Sequence, residues 1–165
     1  MGKKTLFIFI ATSLLLSGCS LSQQPINANK VNNPQEKNSQ INKKLNLSEQ
    51  NIQKIPEYVF NQTNLEELDI SKNQLTGSIQ AEIRHLQNLK VLNVSNNQMT
   101  GIPAEIGQLH NLQVLDLSNN KLTGLPHELG NLQNLKILNI SGNNYSKLDL
   151  GIIRKSLPKE TAIIK

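Results

Sequence analysis

The 165-residue sequence has no tryptophan, two tyrosines, three phenylalanines and a single cysteine, Cys19. A lone cysteine excludes a disulfide framework and any zinc site built from several thiolates. With so few rings there is no stacking platform for nucleic-acid bases, which bears on a formal charge of +5. The charge is also misplaced for such a role. Lys3 and Lys4 lie in the first eighteen residues, and residues 19 to 44 carry Lys30, Lys37, Lys43 and Lys44 against Glu36. Residues 45 to 165 hold eleven basic and eleven acidic side chains, so most of the chain is neutral and nucleic acid is set aside as a partner. No apolar run approaches the roughly 20 residues of a membrane-spanning helix. Also missing are a phosphate-cradling glycine loop and a nucleophile elbow.

What is present begins with Met1-Gly2-Lys3-Lys4 and the apolar run Thr5 to Leu16, the charged and apolar regions of an export signal. Leu16-Ser17-Gly18-Cys19 follows, and it resembles the lipobox of bacterial lipoproteins. That resemblance implies a signal peptide over residues 1–18 and a mature chain starting at Cys19, acylated on its sulfur and its amine. The implied location is the cell envelope, with the exported domain anchored in a membrane by lipid on its cell-surface or periplasmic side. Residues 19–40 are rich in Gln, Asn and Ser, carry Pro25 and Pro34, and have too little apolar content to build a core. They read as an unstructured tether whose flexible segment of about 20 residues has a root-mean-square span of roughly 25 Å.

From residue 41 onward the chain repeats. Leu45-Asn46-Leu47-Ser48, Leu68-Asp69-Ile70-Ser71, Leu92-Asn93-Val94-Ser95, Leu115-Asp116-Leu117-Ser118 and Leu138-Asn139-Ile140-Ser141 are spaced 23, 24, 23 and 23 residues apart. In the last four, a leucine three residues earlier and an asparagine five residues later (Asn73, Asn97, Asn120, Asn143) complete the pattern LxxLxLxxN. This resembles the leucine-rich-repeat family, in the short form seen in Ras-suppressor-like and bacterial repeat proteins. One segment, Leu75-Thr76-Gly77-Ser78-Ile79-Gln80, has an extra residue and is similar to the plant-receptor type; a local widening of the convex side is expected there. The fold class expected is an α/β solenoid of about five coils over residues 41–165. A parallel sheet lines its concave face, short helices or turns line its convex face, and a helix and strand cap its C-terminal end.

Alternate residues of a strand point to opposite faces, so Leu68 and Ile70 enter the core while Asp69 faces out. A single coil cannot bury such a face, and stacking coils does. The ladder asparagines suit the turn after each strand because an amide both donates and accepts hydrogen bonds. Pro103 and Pro126 fix the chain as it enters the convex helices. The first coil, with Gln50 at the ladder position, reads as a cap; Leu148 to Pro158 reads as an amphipathic helix stopped by proline, with Thr161 to Ile164 as a closing strand.

His85, His110 and His127 fall at different places in the repeat and make no metal site. The carboxylates Glu66 with Glu67, and Asp69 with Asp116, are expected to be solvated, with no sign of the desolvation that general acid–base work requires. No catalytic residue is assigned, no cofactor is expected beyond the covalent lipid on Cys19, and the protein is read as a binding module. Its candidate surface is an apolar strip of Val91, Val114 and Ile137 beside Asp69, Asn93, Asp116 and Asn139, directed at a protein or peptide ligand. The alternative is an envelope-organising role, with contact to peptidoglycan or a neighbouring envelope protein.

Overall fold

The computed structural model describes residues 43–165; Cys19, the lipobox and the tether lie outside them. Within these residues, six strands form one parallel sheet: β1 (Lys44–Asn46), β2 (Glu67–Asp69), β4 (Val91–Asn93), β6 (Val114–Asp116), β7 (Ile137–Asn139) and β8 (Ala162–Ile164). They lie side by side in that order. Parallel neighbours require the chain to travel round a full coil between strands. The repeat spacing supplies that distance, and the strands align so that Leu45, Leu68, Leu92, Leu115, Leu138 and Ile163 share one row. The cap strand β8 therefore extends the sheet from the five strands of the repeat pattern to six.

The row from Leu68 to Leu138 is fully buried, as are Leu65, Leu89 and Leu112. A buried leucine is worth roughly 1.5–3 kcal/mol relative to an exposed one, and each here packs on its equivalents in the adjoining coils. Between strands, the chain crosses the opposite face through the helix α1 (Glu57–Phe60) and the 3₁₀ helices Ala81–His85, Ala104–Gln108 and His127–Asn131. Pro56, Pro103 and Pro126 stand one position before these helices, in extended conformation. Their carbonyls accept the first helical N–H bonds, from Val59 at 3.0 Å, Ile106 at 3.2 Å and Leu129 at 3.1 Å. A fixed φ with no backbone donor suits that position. The coil with Gln80 there adopts the same φ of −65° and adds a bond from the Gln80 amide to the Ile55 carbonyl at 2.6 Å.

The extra residue of the Leu75–Gln80 segment is accommodated at Gly77, whose φ of +67° is strained for a residue with a Cβ. The segment forms β3 (Thr76–Gly77), which pairs in parallel with β5 (Gln98–Met99) as a second, two-stranded sheet. At the C-terminal end, α2 (Lys147–Ser156) begins at Ser146, whose hydroxyl accepts the Asp149 N–H at 3.3 Å. Leu150, Ile153 and Leu157 close the last layer of the core. Arg154 then donates to the carbonyls of Thr161 and Lys159, and the Thr161 hydroxyl donates to Leu135 at 2.7 Å, seating the chain for β8.

Candidate binding face

Two polar ladders fix the face before any ligand enters. In the first, the side-chain amide of Asn120 donates to the carbonyls of Val94, Leu117 and Ser118 while its oxygen accepts the Met99 N–H at 3.0 Å. Asn97 repeats this toward Ile70, Val94, Ser95 and Leu75, and Asn143 toward Leu117, Ile140, Ser141 and Leu122. Asn73 serves the first coil, accepting from Gln50 and Ile52 and donating to Leu47. Gln50 thus contributes its backbone in place of a ladder side chain. Each amide ties a coil to the one before it. The second ladder escaped the sequence reading: Asn88, Asn111 and Asn134 donate to the Thr63, Gln87 and His110 carbonyls at 2.9, 2.9 and 2.7 Å. Its signal was the recurring Asn-Leu pair at the repeat spacing.

The predicted face residues lie together on the sheet. One row runs Lys44, Glu67, Val91, Val114, Ile137, Ala162, and a parallel row runs Asn46, Asp69, Asn93, Asp116, Asn139, Ile164. Val91 and Val114 are half-buried by their neighbours and Ile137 is 37 % exposed, so a continuous apolar strip faces outward. It continues into Ala162, while the polar row ends in Ile164, an apolar position that the five-strand reading did not include. At the other end Lys44 pairs with Glu67 at 2.8 Å.

The polar row also has structural duties that the sequence reading did not assign. Asp69, Asn93, Asp116 and Asn139 each accept a hydrogen bond from the serine N–H two residues on, at 2.9–3.2 Å, as Asn46 does at 2.8 Å. These bonds close the end of each strand. Asp116 also accepts from Asn139 at 3.1 Å and from the Ser118 hydroxyl. Asp69 has one carboxylate oxygen outside these turns, and so it is the freest acceptor on the row. Just beyond lies a column in left-handed conformation, Glu49, Lys72, Asn96, Asn119 and Gly142, where the chain turns off the sheet.

Glu66 sits between Lys43 at 2.6 Å and Lys90 at 2.7 Å, one in the preceding and one in the following coil, and the two ammonium groups hold its pKa at about 2. Glu66 stays solvent-accessible, as expected, and the shift comes from the lysines and runs downward, away from general acid–base use. Lys72, bonded to Glu49 at 2.6 Å, is raised above its ordinary value by that carboxylate. Among the described residues, no three His, Cys, Asp or Glu side chains gather where they could hold a metal ion.

Short parallel strands, a leucine core and a buried asparagine ladder define this as a leucine-rich-repeat protein, with the solenoid expected from the sequence. Residues 77–154 match the family described as leucine-rich repeat region, and residues 43–99 the family described as leucine rich repeat. Receptor-like protein 47 of Arabidopsis thaliana is 46 % identical over 57 residues, which are 34 % of this chain and 7 % of that protein. Among solved structures, a leucine-rich-repeat protein of Leptospira interrogans superposes with a TM-score of 0.64 at 39 % identity, over 69 % of this chain and 29 % of that one. A plant peptide hormone receptor, RGFR1 in complex with RGF2, superposes with a TM-score of 0.57 at 32 % identity, over 68 % and 22 % of the two chains. The chain thus spans less than a third of the length of these relatives.

Proposed function

We propose that the protein is an exported lipoprotein that holds a non-catalytic leucine-rich-repeat module at a membrane through lipid on Cys19 and captures a protein or peptide ligand on its concave sheet. The observation that carries the binding reading is the register of Val91, Val114 and Ile137, an outward apolar strip on a sheet whose backbone is fixed by two amide ladders. A preorganised surface binds without the entropic cost of ordering itself. RGFR1, to which this chain is similar over 68 % of its length, is in complex with RGF2, which supports a peptide-like occupant here. Asp69, Asn93, Asp116 and Asn139 orient that occupant with the hydrogen-bonding capacity left over from their turns. The lipid anchor rests on the Leu16–Cys19 motif, which lies outside the described residues.

The test compares cross-linking capture from intact bacterial cells by wild type, by Val91→Glu/Val114→Glu and by Cys19→Ala, at matched expression. The paired glutamates are expected to lower capture by tenfold or more while the far-ultraviolet circular dichroism of the purified protein stays unchanged, since buried charge at an apolar contact is costly. Capture that survives them in a folded protein overturns the concave-face reading. Mass spectrometry of the N-terminal peptide checks the anchor: an unmodified Cys19 thiol overturns it.

A further inference from the structure

The charge balance of the repeat region hides an asymmetry. Residues 45–144 carry six basic and nine acidic side chains, while residues 145–165 carry five basic and two acidic. The basic excess sits on the C-terminal cap, and exposed apolar side chains sit beside it. Leu148 and Ile152 are 74 % and 38 % exposed. With Lys155 they recur at the i, i+4, i+7 spacing that puts them on one face of α2, opposite Leu150, Ile153 and Leu157 in the core. Lys147, Arg154 and Lys165 rim an adjoining shallow hollow of about 480 Å³. Of the two cap carboxylates, Asp149 turns toward the solenoid, accepting from the Leu125 N–H at 3.3 Å and lying 3.8 Å from His127, which leaves Glu160 as the exposed one.

We infer that this cap face docks on an anionic lipid bilayer, with Leu148 and Ile152 entering the headgroup boundary and the lysines around them contacting acidic headgroups. Long basic side chains flanking an exposed apolar stripe on a surface helix suit a bilayer interface, where the stems lie in apolar surroundings and the charges reach the headgroups. The inference rests on the lipid-anchor reading, which brings the domain within reach. The cap strand β8 lies five inter-strand spacings of about 4.8 Å from β1, so the first coil stands clear of the bilayer when the cap rests on it. The docking patch orients the coil stack and leaves the concave sheet clear at its side.

The absence of tryptophan supplies the probe. Leu148→Trp and, as a control in α1, Tyr58→Trp are made separately in the full chain, which is reconstituted in vesicles of phosphatidylcholine with and without 30 % phosphatidylglycerol. The Leu148→Trp emission is expected to shift to the blue and to be quenched by brominated lipid only with phosphatidylglycerol, and to revert in high salt. The Tyr58→Trp emission is expected to stay unchanged. Lys147→Glu, Lys155→Glu and Lys165→Glu combined, with unchanged circular dichroism, are expected to lower the docked population by about 100-fold. Equal emission on both vesicle types, or equal shifts at both positions, overturns the inference. So does a blue shift without vesicles that grows with protein concentration, which assigns the patch to a second copy, or one produced by an acidic polypeptide and not by lipid. Intact-mass analysis of the same sample reports Cys19 acylation independently, so failure of the anchor and failure of docking are separate results.

Discussion

The buried amide of Asn120 serves four backbone groups belonging to two adjacent coils, and that division of labour fixes what its loss removes. Alanine abolishes both the donor and the acceptor functions, and aspartate keeps the acceptor for Met99 while losing the bonds to Val94, Leu117 and Ser118. Asn120→Ala is expected to destabilise the fold by about 1–3 kcal/mol, the cost of leaving buried backbone groups unpaired. Asn120→Asp is expected to cost at least as much, because a charge enters a site only 8 % exposed. Urea unfolding followed by circular dichroism measures both. The role of this ladder was legible in the sequence because each asparagine falls five residues after its strand leucine and amide chemistry offers few alternatives. The turn-closing role of Asp69 and Asp116 was not, because a carboxylate on an outward strand position looks the same in sequence whether it is free or bonded to a serine two residues on.

Between elements, contact is closest on the convex side. A Cβ built on Gly107 would lie 2.3 Å from the Glu128 carbonyl oxygen, in the next 3₁₀ helix, and one on Gly130 would lie 2.6 Å from Ser156 Cβ in α2. These glycines let successive helices pack at the spacing that the narrow strand repeat imposes. Gly107→Ala is therefore expected to destabilise by about 1–3 kcal/mol through overpacking against backbone. Gly151→Ala, at an exposed position of α2 with open space around it, is expected to stabilise by about 0.5–1 kcal/mol. Thermal unfolding of the two variants beside wild type gives opposite signs if packing governs. Strands and end caps were readable from spacing and apolar pattern, down to β8 and the α2 helix. The second sheet at Thr76–Gly77 and Gln98–Met99 was not, because one inserted residue shows that the path changes without showing what the changed backbone will pair with.

At the scale of the whole solenoid, the lysine–carboxylate pairs among the described residues gather in the first three coils, where Glu66 bridges Lys43 and Lys90. Its folded pKa of about 2 lies below the ordinary 4.5, so folding releases protons from it in that interval. The stabilisation is in full force above about pH 4.5 and is lost as pH falls through about 2. The melting-temperature gap between wild type and Glu66→Gln is expected to be constant from pH 7 to 5 and to close near pH 2. High salt is expected to narrow it at every pH, because these groups are solvent-accessible. Lys72 has the opposite sign, its contribution present at neutral pH and lost as pH rises above the usual lysine range.

A structure whose coils are joined only to their neighbours also has a mechanical direction. A load entering at the N-terminal side meets β1 first, in a coil that has Gln50 where later coils have a ladder asparagine and that takes its ladder bonds from Asn73 of the next coil. That coil is the weak link. Once it peels away, the load passes to Asn73 and the next coil inward, so extension proceeds in discrete steps of one 23- or 24-residue repeat, each releasing about 80 Å of chain. Pulled from its N-terminal side, the domain yields coil by coil, with the cap last to let go.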